Sequence, residues 1–298
     1  MDFSVDAEFQ KQIDWVENFV TEEIEPLDTF MRTRQDADGN ELTRDQWRAV
    51  FRYIGDLQQQ VKDQGLWGFH LGPELGGPGL GQVKLSLLNE ILGRTRMGPT
   101  LFGCAAPDTG NMELLAHNGT EEQKKKYLEP SLAGKMRSAY AMTEPHAGEP
   151  GEFKCNATRD GDDWVLNGEK WFISNALAAD FLIVMAITDP EAPTLERASM
   201  FIVETSNPGV EFVRNIHTFG TPFTENLKTD KGRGGHAYIR FNGARLSADA
   251  MLGKEGAGFV GSQTRLSGGR IHHAMRTVGV CKKALDMACE RALSRRSK

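Results

Sequence analysis

The chain has 298 residues, with 35 basic against 41 acidic side chains and a formal net charge of -6. That length accommodates two domains, or one large core with an appendage. Both charge signs are dispersed, which excludes the clustered Lys and Arg of a nucleic-acid or anionic-lipid surface. The longest apolar runs, such as Phe181 to Ile187, are strand-length and exclude a helical membrane span.

The first residues, Met-Asp-Phe-Ser-Val-Asp, lack the basic-then-apolar order of a signal peptide and the Arg-rich character of a transit peptide, so the expected compartment is the cytosol. Phe9, Ile13, Val16, Phe19 and Ile24 recur at helical steps and predict an amphipathic helix over 9–25, stopped near Pro26. Asp36 to Asn40 reads as a loop whose likeness to a calcium loop is superficial. Trp47, Val50, Ile54, Leu57 and Val61 predict a second helix over 43–64, with Gly65 as its C-cap. The glycine-rich stretch from Gly72 to Gly81 fails both phosphate-loop spacings and follows no strand, so it reads as a connection into a helix over 83–94. Thr120-Glu-Glu-Gln123 is a capping box for a further helix, and Lys124 to Lys126 read as its solvated face.

From residue 138 the period changes. Short β-type runs at 139–143, 153–158, 163–175, 181–188, 199–205, 210–214 and 236–241 predict a compact sheet or barrel. Asn167-Gly168 has the residues a tight hairpin turn favours. Thr218 to Gly235 is a long polar insertion. A helical pattern resumes at Gly256, with Phe259, Leu266, Ile271, Met275, Val278 and Leu285. Cys281 and Cys289, eight apart on this helix, read as core thiols rather than metal ligands. The expected fold class is α+β: an N-terminal helical domain over 1–137, a central antiparallel β-barrel or sandwich over 138–246, and the start of a C-terminal helical bundle over 247–298.

The stretch Tyr140 to Asn175 holds the residues most suited to a ligand. A strand running into a Pro- and Gly-broken loop presents backbone N–H groups and hydroxyls, and Phe172 and Ser174 share a strand face. TEPHAGEP followed by NGEKWFISN resembles the paired signature of the acyl-CoA dehydrogenase family. The likeness continues through Pro208-Gly209-Val210, Leu252 to Phe259 and Gly269-Arg270. The segments at 107–111 and 269–273 are most similar to the branch that animals carry fused to kinase-like domains.

The resemblance implies FAD-dependent α,β-dehydrogenation of an acyl-CoA thioester to the trans-2-enoyl-CoA. It also implies an electron-transferring flavoprotein as acceptor and a homodimer or dimer of dimers. By position, Tyr140, Met142 and Thr143 would line one side of the flavin, with Phe172 and Ser174 on the other. Gly148 and Glu149 would stand near cofactor phosphate or the CoA chain, Ser267 and Arg270 near the CoA moiety, and Arg295 and Ser297 near a neighbouring subunit's pyrophosphate.

Glu149-Pro150 departs from the family pattern, since a carboxylate beside a pyrophosphate costs Coulomb energy and Pro removes a donor. No residue is assigned as the catalytic base. Glu144 and Glu255 read as structural carboxylates, Gly269 occupies one family position for the base, and the other lies beyond Lys298. The chain is therefore expected to be truncated within its third domain and weakly active or inactive. The alternatives are a flavin monooxygenase or nitroalkane oxidase on the same fold, or a non-catalytic flavin- or CoA-thioester-binding remnant.

Overall fold

The computed structural model describes residues 4–33, 35, 38–147, 150–218 and 235–296. The chain divides into two compact units, residues 1–105 with 268–298, and residues 106–267.

The first unit is helical. Helix α1 (Ala7–Phe19) starts where the Asp6 carboxylate accepts the Phe9 N–H at 2.8 Å, an N-cap that satisfies one of the turn's orphan donors. The chain does not stop at Pro26 as the periodicity predicts. A π-helical turn, Val20–Ile24, leads into α2 (Glu25–Thr33), so Pro26 falls in the opening turn of α2, where a missing N–H is cheap. Helix α3 (Arg44–Asp63) carries a full capping box between Thr43 and Gln46, and Gly65 follows it in the left-handed conformation. The Gly72–Gly81 stretch forms a 3-10 turn at Pro73–Leu75 and then delivers the chain to α4 (Gly81–Leu92), as a helix connection should. The short α5 (Gly98–Leu101) comes next. The core gathers Phe9, Val16, Phe19, Ile24, Leu57, Leu88 and Phe102, with Trp15 stacked on Phe19 at 4.7 Å and Phe102 edge-on to both.

Within this unit α4 meets the long C-terminal helix α9 (Gly258–Ser294) at two glycines. A Cβ on Gly279 would stand 1.9 Å from the Glu90 carbonyl oxygen, and one on Gly93 would stand 2.2 Å from that of Arg276. The backbones have no room for a methyl group. Gly279→Ala is therefore expected to cost about 1–3 kcal/mol by forcing the helices apart. An unchanged urea midpoint would refute that expectation.

The exposed side of α9 corrects one reading. Cys281 and Cys289 are both exposed rather than buried, on a helix that also exposes Ile271, Val278, Leu285 and Met287. The periodicity marked a real apolar stripe, but the described residues do not cover it. No described helix is long and apolar enough to cross a membrane.

The second unit opens with helices α6 (Asp108–Asn118), α7 (Glu121–Gln123) and α8 (Glu129–Leu132). Thr120 and Gln123 complete the expected capping box, and Gln123 also donates to the carbonyls of Asp249 and Met251 at 2.8 and 2.9 Å. Two of the three lysines after α7 are paired, Lys124 with Glu121 at 3.0 Å and Lys126 with Glu204 at 2.8 Å.

Eight strands among the described residues form one sheet: β1 (Ser138–Ala141), β2 (Asn156–Asp160), β3 (Asp163–Ser174), β4 (Phe181–Ile187), β5 (Ala198–Glu204), β6 (Val210–Asn215), β7 (His236–Leu246) and β8 (Met251–Leu252). The path runs β6-β7-β3-β2-β4-β5-β8, mostly antiparallel, while β1 lies parallel to β4 with Ser138 opposite Phe181. Strand β4 is buried throughout, and β3, β5 and β7 supply Trp164, Leu166, Phe201, Val203, Ile239 and Phe241 to the core.

The hairpin turn is not at Asn167-Gly168. It falls at Gly161-Asp162 between β2 and β3, with Gly161 left-handed. Gly168 lies inside β3 at a bulge, where a Cβ would sit 2.5 Å from the Cys155 Cα. Close backbone approach explains this glycine better than turn geometry does. The Asn167 side chain accepts the Gly243 N–H at 2.8 Å. Most of the Asp36–Asn40 loop is described, whereas the polar stretch at 219–234 lies outside the described residues.

Candidate functional site

Strand β1 is held at its start by the Asp108-Thr-Gly-Asn111 segment. Asp108 accepts both the Ser138 N–H and hydroxyl at 2.7 Å, and Asn111 donates to the Ser138 hydroxyl at 2.9 Å. Burial raises the Asp108 pKa, and the Ser138 hydrogen bonds oppose the rise. The strand then leads to Met142, Thr143 and Glu144.

A buried ion pair fixes this end of β1. Lys170 of β3 is fully buried, and its ammonium donates to the Met142 carbonyl at 2.7 Å and to Glu144 at 2.9 Å. Glu144 also accepts the N–H groups of Lys154 and Cys155 at 2.7 and 3.0 Å. Each charge is thus paired and hydrogen-bonded, as a buried pair must be. The Phe153 ring lies 4.4 Å from the ammonium. The reading of Glu144 as structural matches this geometry. Glu255 likewise pairs with Arg159 at 3.0 Å, on the surface.

The Trp171 N–H donates to the Thr143 carbonyl at 3.0 Å, which sets the two strand ends side by side. Immediately after it, β3 bulges against β7 between Lys170 and Ile173. Phe172 there has φ 54°, and Asn175 has φ 66°; no other described non-glycine residue has positive φ. An aromatic residue in the left-handed region carries about 1–3 kcal/mol of strain. Packing does not account for it, because Phe172 is 43% exposed while its neighbour Ile173 is 2% exposed. Ser174 is exposed on the same side, its hydroxyl hydrogen-bonded to His236 Nδ1 at 2.9 Å. Burial lowers the His236 pKa. The Asn175 amide donates to the Ser138 carbonyl at 3.3 Å, tying the end of β3 back to β1.

Tyr140, Met142, Thr143, Phe172 and Ser174 therefore lie on two tied strand ends of one unit. Thr143, Phe172 and Ser174 are exposed, Met142 is half-buried, and the Tyr140 ring lies against the Arg265 guanidinium. A planar, hydrogen-bonding group such as the flavin ring fits this surface. The rigid exposed Phe172 offers a face, and Thr143 and Ser174 offer hydroxyls. Ser267 and Arg270 are exposed on α9, and Arg270 makes no hydrogen bond or ion pair among the described residues. Arg295 is exposed just past the end of α9. Gly148, Glu149 and Ser297 lie outside the described residues.

Three participants had no signal in the sequence. Lys170 stood inside a quoted motif without a role, His236 is remote from Ser174 in the chain, and Arg265 lies on an ordinary helical stretch.

Residues 6–135 match the family model for the acyl-CoA dehydrogenase N-terminal domain, and residues 139–230 match the middle domain. Acyl-CoA dehydrogenase family member 11 of Homo sapiens is 40% identical over 261 residues, covering 86% of this chain and 32% of that protein. Probable acyl-CoA dehydrogenase FadE2 of Mycobacterium tuberculosis is 39% identical over 247 residues, covering 81% of this chain and 58% of that protein. The chain thus spans well under two thirds of the length of these curated relatives. Among solved structures, butyryl-CoA dehydrogenase from Megasphaera elsdenii superposes with a TM-score of 0.74 at 26% identity, over 100% of this chain and 72% of that one. A candidate acyl-CoA dehydrogenase from Mycobacterium abscessus gives a TM-score of 0.86 at 35% identity, over 99% of this chain and 72% of that one. With both domain models matched in order and this last likeness running nearly end to end, the chain belongs to the acyl-CoA dehydrogenase family.

Proposed function

We propose that this chain carries the flavin- and thioester-binding part of an enzyme that dehydrogenates an acyl-CoA between Cα and Cβ, giving the trans-2-enoyl-CoA. The observation that supports this most is the pair of strand ends tied by the Trp171 N–H to the Thr143 carbonyl and by the Lys170–Glu144 pair, with strained, exposed Phe172 next in the chain. FAD, when bound, would supply the hydride acceptor.

The chain's own residues would hold and orient. Thr143 and Ser174 would donate hydrogen bonds to the ring, Met142 and Tyr140 would contribute main chain, and Phe172 would cover one face. Ser174 is held by His236, so its hydroxyl direction depends on that imidazole's tautomer. Gly148 and Glu149 would approach phosphate, Ser267 and Arg270 the CoA moiety, and Arg295 and Ser297 a neighbouring subunit's cofactor. No described residue is assigned as the base that takes the Cα proton. The partners under this reading are an electron-transferring flavoprotein and further copies of the chain, in the cytosol.

The test is the visible spectrum of the purified chain, recorded again after anaerobic addition of an acyl-CoA. A flavin spectrum that bleaches is the expected result for the dehydrogenase. A spectrum that stays oxidised would refute dehydrogenation by this chain, and no flavin at all would refute a cofactor site formed by these residues.

A further inference from the structure

Arg265 lies near the start of α9, within the same unit as the sheet. Its guanidinium stacks over the Tyr140 ring at 4.1 Å, and its Nε donates to Asn111 Oδ1 at 3.0 Å. Gly110 makes this placement possible, because a Cβ there would come within 2.6 Å of the Arg265 Cγ. Yet Arg265 forms no ion pair among the described residues. A largely buried guanidinium cannot shed its proton, so it needs an anion or accepts a large desolvation cost.

Glu113 on α6 is the carboxylate that acts on Arg265 electrostatically, but no salt bridge forms between them. Burial pushes Glu113 up to about 7, so it does not fully neutralise the cation. The Tyr140 hydroxyl is buried with no hydrogen-bond partner, and the neighbouring Ser262 hydroxyl gives its proton to the Phe259 carbonyl at 2.6 Å. The guanidinium thus meets one neutral acceptor, Asn111 Oδ1, and no salt-bridged carboxylate among the described residues, and the hydroxyl of the ring it stacks on is buried without a hydrogen-bond partner, against the rule that buried polar groups are satisfied.

We propose that Arg265 and the Tyr140 hydroxyl form an oxyanion subsite adjoining the cofactor strand, and that the acyl group this chain takes carries a carboxylate. This subsite rests on the acyl-CoA reading and narrows its substrate class. The planar guanidinium matches a carboxylate's two oxygens, and the phenol supplies a further donor. Neither residue takes part in bond breaking. They position the far end of the acyl group, with Tyr140 two residues along the chain from Met142.

The experiment is calorimetric titration of the full 298-residue chain with adipyl-CoA and with hexanoyl-CoA, which differ in the terminal carboxylate. The expected result is binding of adipyl-CoA about tenfold tighter or better, the range of a charge-assisted hydrogen bond. Arg265→Gln and Tyr140→Phe should each shrink that ratio several-fold. Tyr140→Phe should do so without lowering the melting temperature, since the hydroxyl makes no bond to lose, whereas a purely structural tyrosine would lose stability. If Arg265→Gln fails to fold, Tyr140→Phe carries the test. Equal affinity for the two thioesters, or a preference that survives Tyr140→Phe, overturns the subsite alone. Binding of neither thioester overturns both the subsite and the acyl-CoA reading.

Discussion

Lys170→Met is expected to lower the stability of the sheet unit by about 3–5 kcal/mol, the usual cost of stranding one member of a buried pair. The ammonium is fully buried and holds both the Met142 carbonyl and the Glu144 carboxylate. Methionine has nearly the same length and no donor, so it would leave an uncompensated carboxylate and an orphaned carbonyl. Glu144 would keep its two backbone partners, Lys154 and Cys155, which limits the loss but does not remove the charge. In urea unfolding followed by intrinsic fluorescence, the midpoint should fall by more than about 1 M with little change in slope. The double variant Lys170→Met/Glu144→Gln should lose less than the two single losses combined, because the residues act as a unit. A single variant as stable as the parent chain would refute the assignment. The same substitution would free the Met142–Thr143 segment, so loss of flavin should accompany loss of stability under the proposed function.

The second large effect is acid lability of the helical unit. His70 and His272 lie near one another beside Arg276, and both His70 ring nitrogens and the His272 Nε2 are buried without a hydrogen-bond partner. Burial pushes His70 down to about 3, aided by the charges of His272 and Arg276, and pushes His272 down to about 4, aided by Arg276 and His273. Arg276 itself is fixed by Asn89 at 2.7 Å and the Cys104 carbonyl at 2.8 Å. Both histidines are therefore neutral in the folded chain below the pH at which the unfolded chain, near 6.5, takes up protons.

The unfolded state binds more protons in that window, so stability is complete above about 6.5 and falls as pH drops toward 4 and 3. Each histidine contributes a slope of about 1.4 kcal/mol per pH unit. Urea midpoints measured from pH 7 to 4 should fall steeply for the parent chain. They should flatten in His70→Gln/His272→Gln, which cannot charge. Parallel profiles for the two proteins would sink the explanation.

Local chemistry made most of the fold legible. All seven runs with β-type alternation became strands within a few residues, because one face of each is buried and turn residues bound it. The capping boxes at Thr43 and Thr120 close with their own third residue, an interaction wholly local in sequence. The failures are also physical. A helix passes Pro26 because a π turn resets its hydrogen bonding, and Gly168 serves close approach to Cys155, which no dipeptide preference reveals. Cys281 and Cys289 sit on a helix whose apolar residues looked like core, yet burial depends on what lies opposite. In the site, the strand residues were legible through a family motif. Arg265, the Ser174–His236 hydrogen bond and the histidine pair depend on contacts between distant segments, for which a single chain offers no periodicity.

Strand β1 has a consequence for the order in which the molecule comes together. Among the described strands it alone meets the sheet only through a parallel neighbour, Ser138 opposite Phe181, whereas β2 with β3 and β4 with β5 are antiparallel pairs joined by nearer connections. Closing a short loop loses little chain entropy and a long one loses more, so hairpins form early and a distant parallel pairing forms late. Tyr140, Met142 and the Glu144 that Lys170 awaits all ride on or just beyond that late strand. During synthesis and refolding, the candidate site is therefore completed only after the local hairpins on which it rests have formed.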